Sequence, residues 1–176
     1  MMRHVMLDIE TTGVKPGCNV VSIGMCEVWK PENSFYAVLA DQGGVNDPST
    51  IEWWGKQKGK PSYDTFDEYK HNSQICNPVS LHGAVKFLDT PDTILWCKGA
   101  DFDYSILGHT LRQYGLKFPV KYNRFLCLRT TLILTGDYKK SFGASHNALD
   151  DAKEQSKHLI KALQPKTWQR IDAMLK

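Results

Sequence analysis

The chain has 176 residues, 41% hydrophobic and 23% charged, with a formal net charge of +3. That length suits a single domain over residues 1–176 with a substantial core, and the composition excludes a wholly disordered chain. No apolar run approaches the ~20 residues of a membrane span, and Asp8 interrupts the N-terminal stretch too early for a signal peptide; no membrane partner and a cytoplasmic location are the expectations.

Five scattered cysteines, without a C-x-x-C pair, argue against a disulfide framework and a zinc knuckle. They read as small apolar residues in or near the core. The mildly basic balance permits a polyanionic partner without requiring one.

Residues 4–9 form a short apolar run that predicts a buried strand. Turn residues from Thr11 to Gly17 follow. Val20–Trp29 and Phe35–Leu39, separated by Lys30-Pro31-Glu32-Asn33, complete a three-stranded antiparallel meander. Ser49-Thr50-Ile51-Glu52 has the pattern of a capping box and opens a helix carrying Trp53 and Trp54. Residues 56–77 lack periodicity and read as a loop-rich excursion. Asn77-Pro78 suits a capped helix start, with Leu81, Ala84, Val85 and Leu88 at helical spacing.

Residues 93–97 predict a fourth strand, and a helix from about Phe102 to Tyr114 stops at Gly115. A fifth strand is expected over Phe125–Leu128. The last long helix runs from about Asn147 to Gln164 and ends at Pro165, before an amphipathic tail with Trp168, Ile171 and Leu175. The fold class is α/β, with a mixed sheet of about five strands flanked by helices.

Asp8 and Glu10 stand two apart on the first strand, so both carboxylates point to one face. Two acids emerging from an apolar strand are costly unless a cation sits between them, and an oxygen-preferring divalent ion answers that need. Asp101 and Asp103 open a helix after the fourth strand, where sites gather in α/β folds. Asp150 and Asp151 open the last helix, just after His146. Any of these four could merely favour a helix N-terminus, and periodicity does not choose within either pair. Together, about four carboxylates from separate elements could hold two Mg²⁺ or Mn²⁺ ions roughly 4 Å apart for phosphoryl chemistry. His146, with an ordinary pKa near neutrality, could take a proton from water.

The order of these motifs resembles the exonucleases related to the DnaQ proofreading subunit, which have a ribonuclease H-like fold. Asp8-Ile9-Glu10-Thr11-Thr12-Gly13 matches their first motif, Gly99-Ala100-Asp101-Phe102-Asp103 their second, and His146-Asn147-Ala148-Leu149-Asp150-Asp151-Ala152 their third. The alignment selects Asp103 over Asp101 and Asp151 over Asp150, and it places the chain in the histidine-containing (DEDDh) branch. The resemblance implies a metal-dependent 3′–5′ exonuclease acting on single-stranded DNA or RNA with a free 3′ end and releasing nucleoside 5′-monophosphates. Asp8, Glu10, Asp103 and Asp151 would bind the metal pair, His146 would be the general base, and Thr11 would help hold the terminal nucleotide. Some relatives form homodimers.

Within the family the likeness leans towards the phage DexA-type enzymes and a bacterial 3′–5′ exoribonuclease group, on Trp53-Trp54-x-x-Gln57, the Phe102–Leu107 run and Arg129-Thr130. Lys98-Gly99 and Cys127–Leu132 depart from the family pattern without removing a ligand. Trp53, Trp54 and Gln57 could stack on or bond to a splayed base, or else cover the core edge. Arg129 and the Lys56, Lys58, Lys60 stretch could meet phosphate or face solvent. Two other readings are a non-cleaving binding module for nucleic acid or a partner protein, and a phosphoesterase acting on short oligonucleotides.

Overall fold

The computed structural model describes residues 2–138 and 145–175. Strand β1 (Arg3–Thr11) lies at the centre of a five-stranded sheet because it is apolar on both faces. Antiparallel β2 (Val20–Glu27) and β3 (Lys30–Val38) extend one side, and parallel β4 (Thr93–Cys97) and β5 (Phe125–Cys127) the other, in the order β3-β2-β1-β4-β5.

The expected break at Lys30–Asn33 is instead part of β3, and the chain reverses at Val28-Trp29. An outermost strand tolerates Pro31 because one row of its backbone groups needs no strand partner.

Helices cover both faces. On one, α3 (Asn77–Leu88) and α4 (Ala100–Gln113) press Leu81, Leu88, Ile106 and Leu111 onto Val5, Leu7 and Ile9. On the other, α5 (Leu128–Thr135), α6 (Ala148–Ala162) and α7 (Pro165–Leu175) bury Leu132, Leu159 and Trp168 against Met6, Ile94 and Trp96. Helix α4 stops as expected. Gly115, at φ 70°, lets the Leu116 amide reach the Leu111 carbonyl at 2.9 Å.

Three expectations are corrected. Helix α1 (Pro48–Lys56) is capped by Asp47 rather than by a Ser49 box: the Asp47 carboxylate accepts from the Ser49 and Thr50 amides, Pro48 starts the helix, and Glu52 pairs with Lys56. Residues 56–77 are not loop-rich, since α2 (Pro61–His71) and a 3₁₀ turn (Gln74–Cys76) occupy most of them. Asn77 does not cap α3. Its side chain crosses to the Ala40 backbone and the Tyr114 hydroxyl.

All five cysteines are free; Cys18, Cys26 and Cys97 are buried, while Cys76 is exposed, against expectation. Among the described residues, no helix is long and apolar enough to cross a membrane.

Candidate active site

β1 runs past the end of β4, whose last pairing joins Leu7 to Cys97. Beyond that point the Asp103 carboxylate comes close to the Ile9 backbone amide, which favours its charged form. Asp103 gets there because α4 begins directly after β4, with the Phe102 and Asp103 amides bound to the Gly99 carbonyl. Asp103 is buried and Asp101 exposed. On the opposite side of β1, a bulge between Glu10 and Thr11 ends regular pairing with β2 directly after the two carboxylates.

The other half of the site comes from α6. Asp8 is paired with Gly24 of β2, and a Cβ on Gly24 would lie 2.1 Å from the Ala148 carbonyl carbon and 2.2 Å from the Leu149 nitrogen. Only glycine lets the start of α6 lie on the sheet here. Asn147 caps the helix by accepting from the Leu149 and Asp150 amides. Asp151 turns back: one carboxylate oxygen accepts from the Ser145 amide (2.8 Å) and hydroxyl (3.1 Å), the other from the His146 amide (3.1 Å). Asp151 is buried and Asp150 exposed.

The structure therefore brings Asp8, Glu10, Asp103, Asp151 and His146 together. Nδ1 of His146 lies 4.0 Å from Glu10 Oε1, and single ligand atoms of Glu10, His146 and Asp151 fall within 4.8 Å of one another. Burial, opposed by the Gln155 hydrogen bond and reinforced by Asp151, raises the Asp8 pKa to about 7. Glu10 is raised well above the usual range by burial and by Asp8, Asp151 and Asp103; Asp103 rises through burial and Asp8. His146 is lowered, chiefly by burial, with Asp151 opposing and Lys60 and Lys98 assisting. Crowded, desolvated carboxylates beside a neutral imidazole form a hard donor set that fits a divalent cation.

The expected substrate residues divide. The Trp53 ring packs edge-on against His146 at 4.7 Å. Arg129 is exposed, its guanidinium 3.6 Å from where a Cβ on Gly99 would stand, at the mouth of α4. Trp54 is not available for stacking on a base: it is 1% exposed, lies against Phe66, and donates to the Thr11 carbonyl at 2.9 Å. Gln57 is buried as well, bound to the Trp53 carbonyl and Lys60. The Thr11 hydroxyl donates to the Gly13 carbonyl. In this arrangement the polar side-chain atoms of Trp54, Gln57 and Thr11 are engaged within the protein.

Sequence reasoning missed Gly24, Gln155 and Ser145. A glycine within a strand signals close backbone approach, and that could have found Gly24. Gln155 lies four residues after Asp151, on the same helix face. Nothing in the sequence marks Ser145, and Lys98 stood out only as a departure from the family pattern.

A five-stranded mixed sheet with helices on both faces and acids at the end of β1 defines a ribonuclease H-like fold of the DnaQ-like exonucleases. The model of a family described as 3′-5′ exoribonuclease Rv2179c-like domain matches residues 3–163, and the chain belongs to that family of 3′–5′ exonucleases.

Among solved structures, cell-death related nuclease 4 (CRN-4) is similar over 92% of this chain and 63% of its own, at 13% identity and a TM-score of 0.61. The nuclease domain of 3′hExo, a DEDDh family member bound to rAMP, matches over 90% of both chains at 14% identity and a TM-score of 0.57. Exonuclease I of E. coli, in a metal-free complex with single-stranded DNA, matches over 97% of this chain and 42% of its own, at 15% identity and a TM-score of 0.60. The chain thus spans under two thirds of CRN-4 and under half of exonuclease I. No curated protein matches it.

Proposed function

We propose that the protein removes nucleotides one at a time from the 3′ end of single-stranded nucleic acid, RNA before DNA, and releases nucleoside 5′-monophosphates. The observation that carries this reading is the meeting of Asp8, Glu10, Asp103 and Asp151 with His146 at one end of β1. The family description favours RNA, and the rAMP and single-stranded DNA bound by two structural neighbours fit a 3′-terminal nucleotide site.

The four carboxylates would hold two divalent ions, Mg²⁺ or Mn²⁺. Bound there, such ions acidify the attacking water and neutralise charge developing on the phosphate and the leaving oxygen. The protein's own groups do the rest. Burial keeps His146 neutral and ready to accept a proton, and the Trp53 ring limits its rotation. Asp151, held by three hydrogen bonds, keeps the His146 backbone in place. Arg129 and Lys98 provide positive charge at the mouth for phosphate.

The test is a time course on 5′-labelled single-stranded RNA and DNA with Mg²⁺, Mn²⁺ or EDTA, beside Asp8→Ala. A metal-dependent ladder shortening from the 3′ end, faster on RNA and absent in Asp8→Ala, is expected. Undiminished cleavage by Asp8→Ala would remove that residue from the ligand set. Cleavage of dinucleotides alone would make the protein a phosphoesterase on short oligomers, and binding without cleavage would make it a binding module.

A further inference from the structure

Gln155 sits one helical turn beyond Asp151, so α6 presents both side chains to the site from the same face. Its Nε2 donates to Asp8 Oδ1 at 2.7 Å. The residue is 6% exposed, and its Oε1 is buried without a hydrogen-bond partner. A buried unpaired oxygen is a cost that leucine or methionine, of similar volume, would avoid. Packing alone therefore does not account for an amide at this position.

Asp8 does. An ionised carboxylate only accepts, so one of its oxygens can be fixed only by a donor. A lysine would supply the donor together with a charge that competes with a cation. The amide supplies it without charge. It is also held in one orientation, since a flipped amide would set oxygen against oxygen.

We propose that Gln155 is a positioning residue for the metal centre: it fixes Asp8 through Oδ1 and leaves Oδ2 for a cation. Helix α6 then sets two of the four carboxylates, Asp151 directly and Asp8 through the amide, so their separation follows from a single rigid element. This inference rests on the metal-dependent reading of the site given above. Partners that orient a metal-binding carboxylate typically change metal affinity or activity 10–100-fold when removed.

Mn²⁺ binding to the protein without nucleic acid should be measured by calorimetry for the wild type, Gln155→Met, Gln155→Leu and Asp8→Asn. Nucleotide release from labelled RNA and the melting temperature in EDTA complete the set. Both Gln155 variants should bind Mn²⁺ about 10–100-fold more weakly. Their kcat should fall at low Mn²⁺ and recover at high Mn²⁺, with KM for RNA and the metal-free melting temperature unchanged.

Unchanged Mn²⁺ affinity and kcat in the folded variants would overturn the proposal. A matching fall in melting temperature in both variants would assign Gln155 to packing and overturn it equally. Asp8→Asn separates this failure from a wider one. If Asp8→Asn binds Mn²⁺ like the wild type, the ligand set itself is wrong. If it loses binding while the Gln155 variants keep it, only the role of Gln155 is wrong.

Discussion

His146 stands at φ 54°, the one described residue other than glycine in the left-handed region. Such a conformation costs on the order of 1 kcal/mol or more and persists where surrounding bonds impose it. Here the Asp151 carboxylate imposes it, through the Ser145 and His146 amides. The strained turn points the imidazole at Glu10 and seats it against Trp53.

If His146 is the base, His146→Ala should lower kcat by roughly 10²–10⁴ with Mn²⁺ affinity near the wild-type value. Burial favours the neutral ring, so at saturating metal, which holds the carboxylates ionised, the histidine limb of the wild-type pH–rate profile should lie below the ordinary imidazole pKa. That limb of the pH–rate profile should be missing from the variant. Weakened Mn²⁺ binding with normal kcat at saturating metal would make His146 a ligand, a role its place beside Glu10 and Asp151 also allows. At this scale, Asp8 and Glu10 were legible from the two-residue period of a strand. Asp103 and Asp151 needed the motif alignment, because Asp101 and Asp150 share their polarity and differ only in which helix face is buried. Gln155 was invisible, since a glutamine on a polar helix reads as solvated.

Among the elements, α6 sets the site. Its approach depends on Gly24, where an added Cβ would strike the backbone of Ala148 and Leu149 rather than a side chain that could swing away. Gly24→Ala should therefore displace the start of α6, and Asp151 with it. Overpacking of this kind costs about 1–3 kcal/mol, or roughly 3–10 °C of melting temperature in a chain of this size. Nucleotide release should fall far more steeply than that loss explains. A Gly24→Ala protein with wild-type turnover and melting temperature would show that α6 tolerates the shift.

The sequence disclosed α6 readily because alanine, leucine and isoleucine form its stripe. Helix α2 stayed hidden although its buried residues, Ser62, Thr65, Phe66 and Tyr69, are spaced as a helix requires. Two of the four are hydroxylic and a third is tyrosine, so the apolar period was too weak to see. The start of α1 was misread for a different reason: Asp47-Pro48 combines a side-chain acceptor with a preset φ, which outweighed the Ser49–Glu52 pattern.

Across the whole molecule, the crowding that suits the site to a cation should make the metal-free protein sensitive to pH. Asp8, Glu10 and Asp103 have pKa values above their usual range in the folded state. Between the unfolded carboxylate value near 4 and the Asp8 value of about 7, the folded chain holds more protons than the unfolded one. Their contribution to stability is thus present at low pH and lost as pH rises through that window. His4 acts in the opposite sense. Burial, partly offset by Asp172, lowers its pKa, so its contribution is lost as pH falls.

Comparing the wild type with Asp8→Asn cancels the His4 effect. In EDTA at pH 8, Asp8→Asn should melt above the wild type, because one buried charge and its repulsion by Asp151 are gone; at pH 5 the difference should shrink. Mg²⁺ or Mn²⁺ at about 100 times its Kd should raise the wild-type melting temperature by roughly 5–10 °C at pH 8. The gain should be smaller at pH 5, where protons compete, and largely absent in Asp8→Asn. Equal metal-induced shifts in both proteins at both pH values would mean that cations stabilise this fold somewhere other than the end of β1.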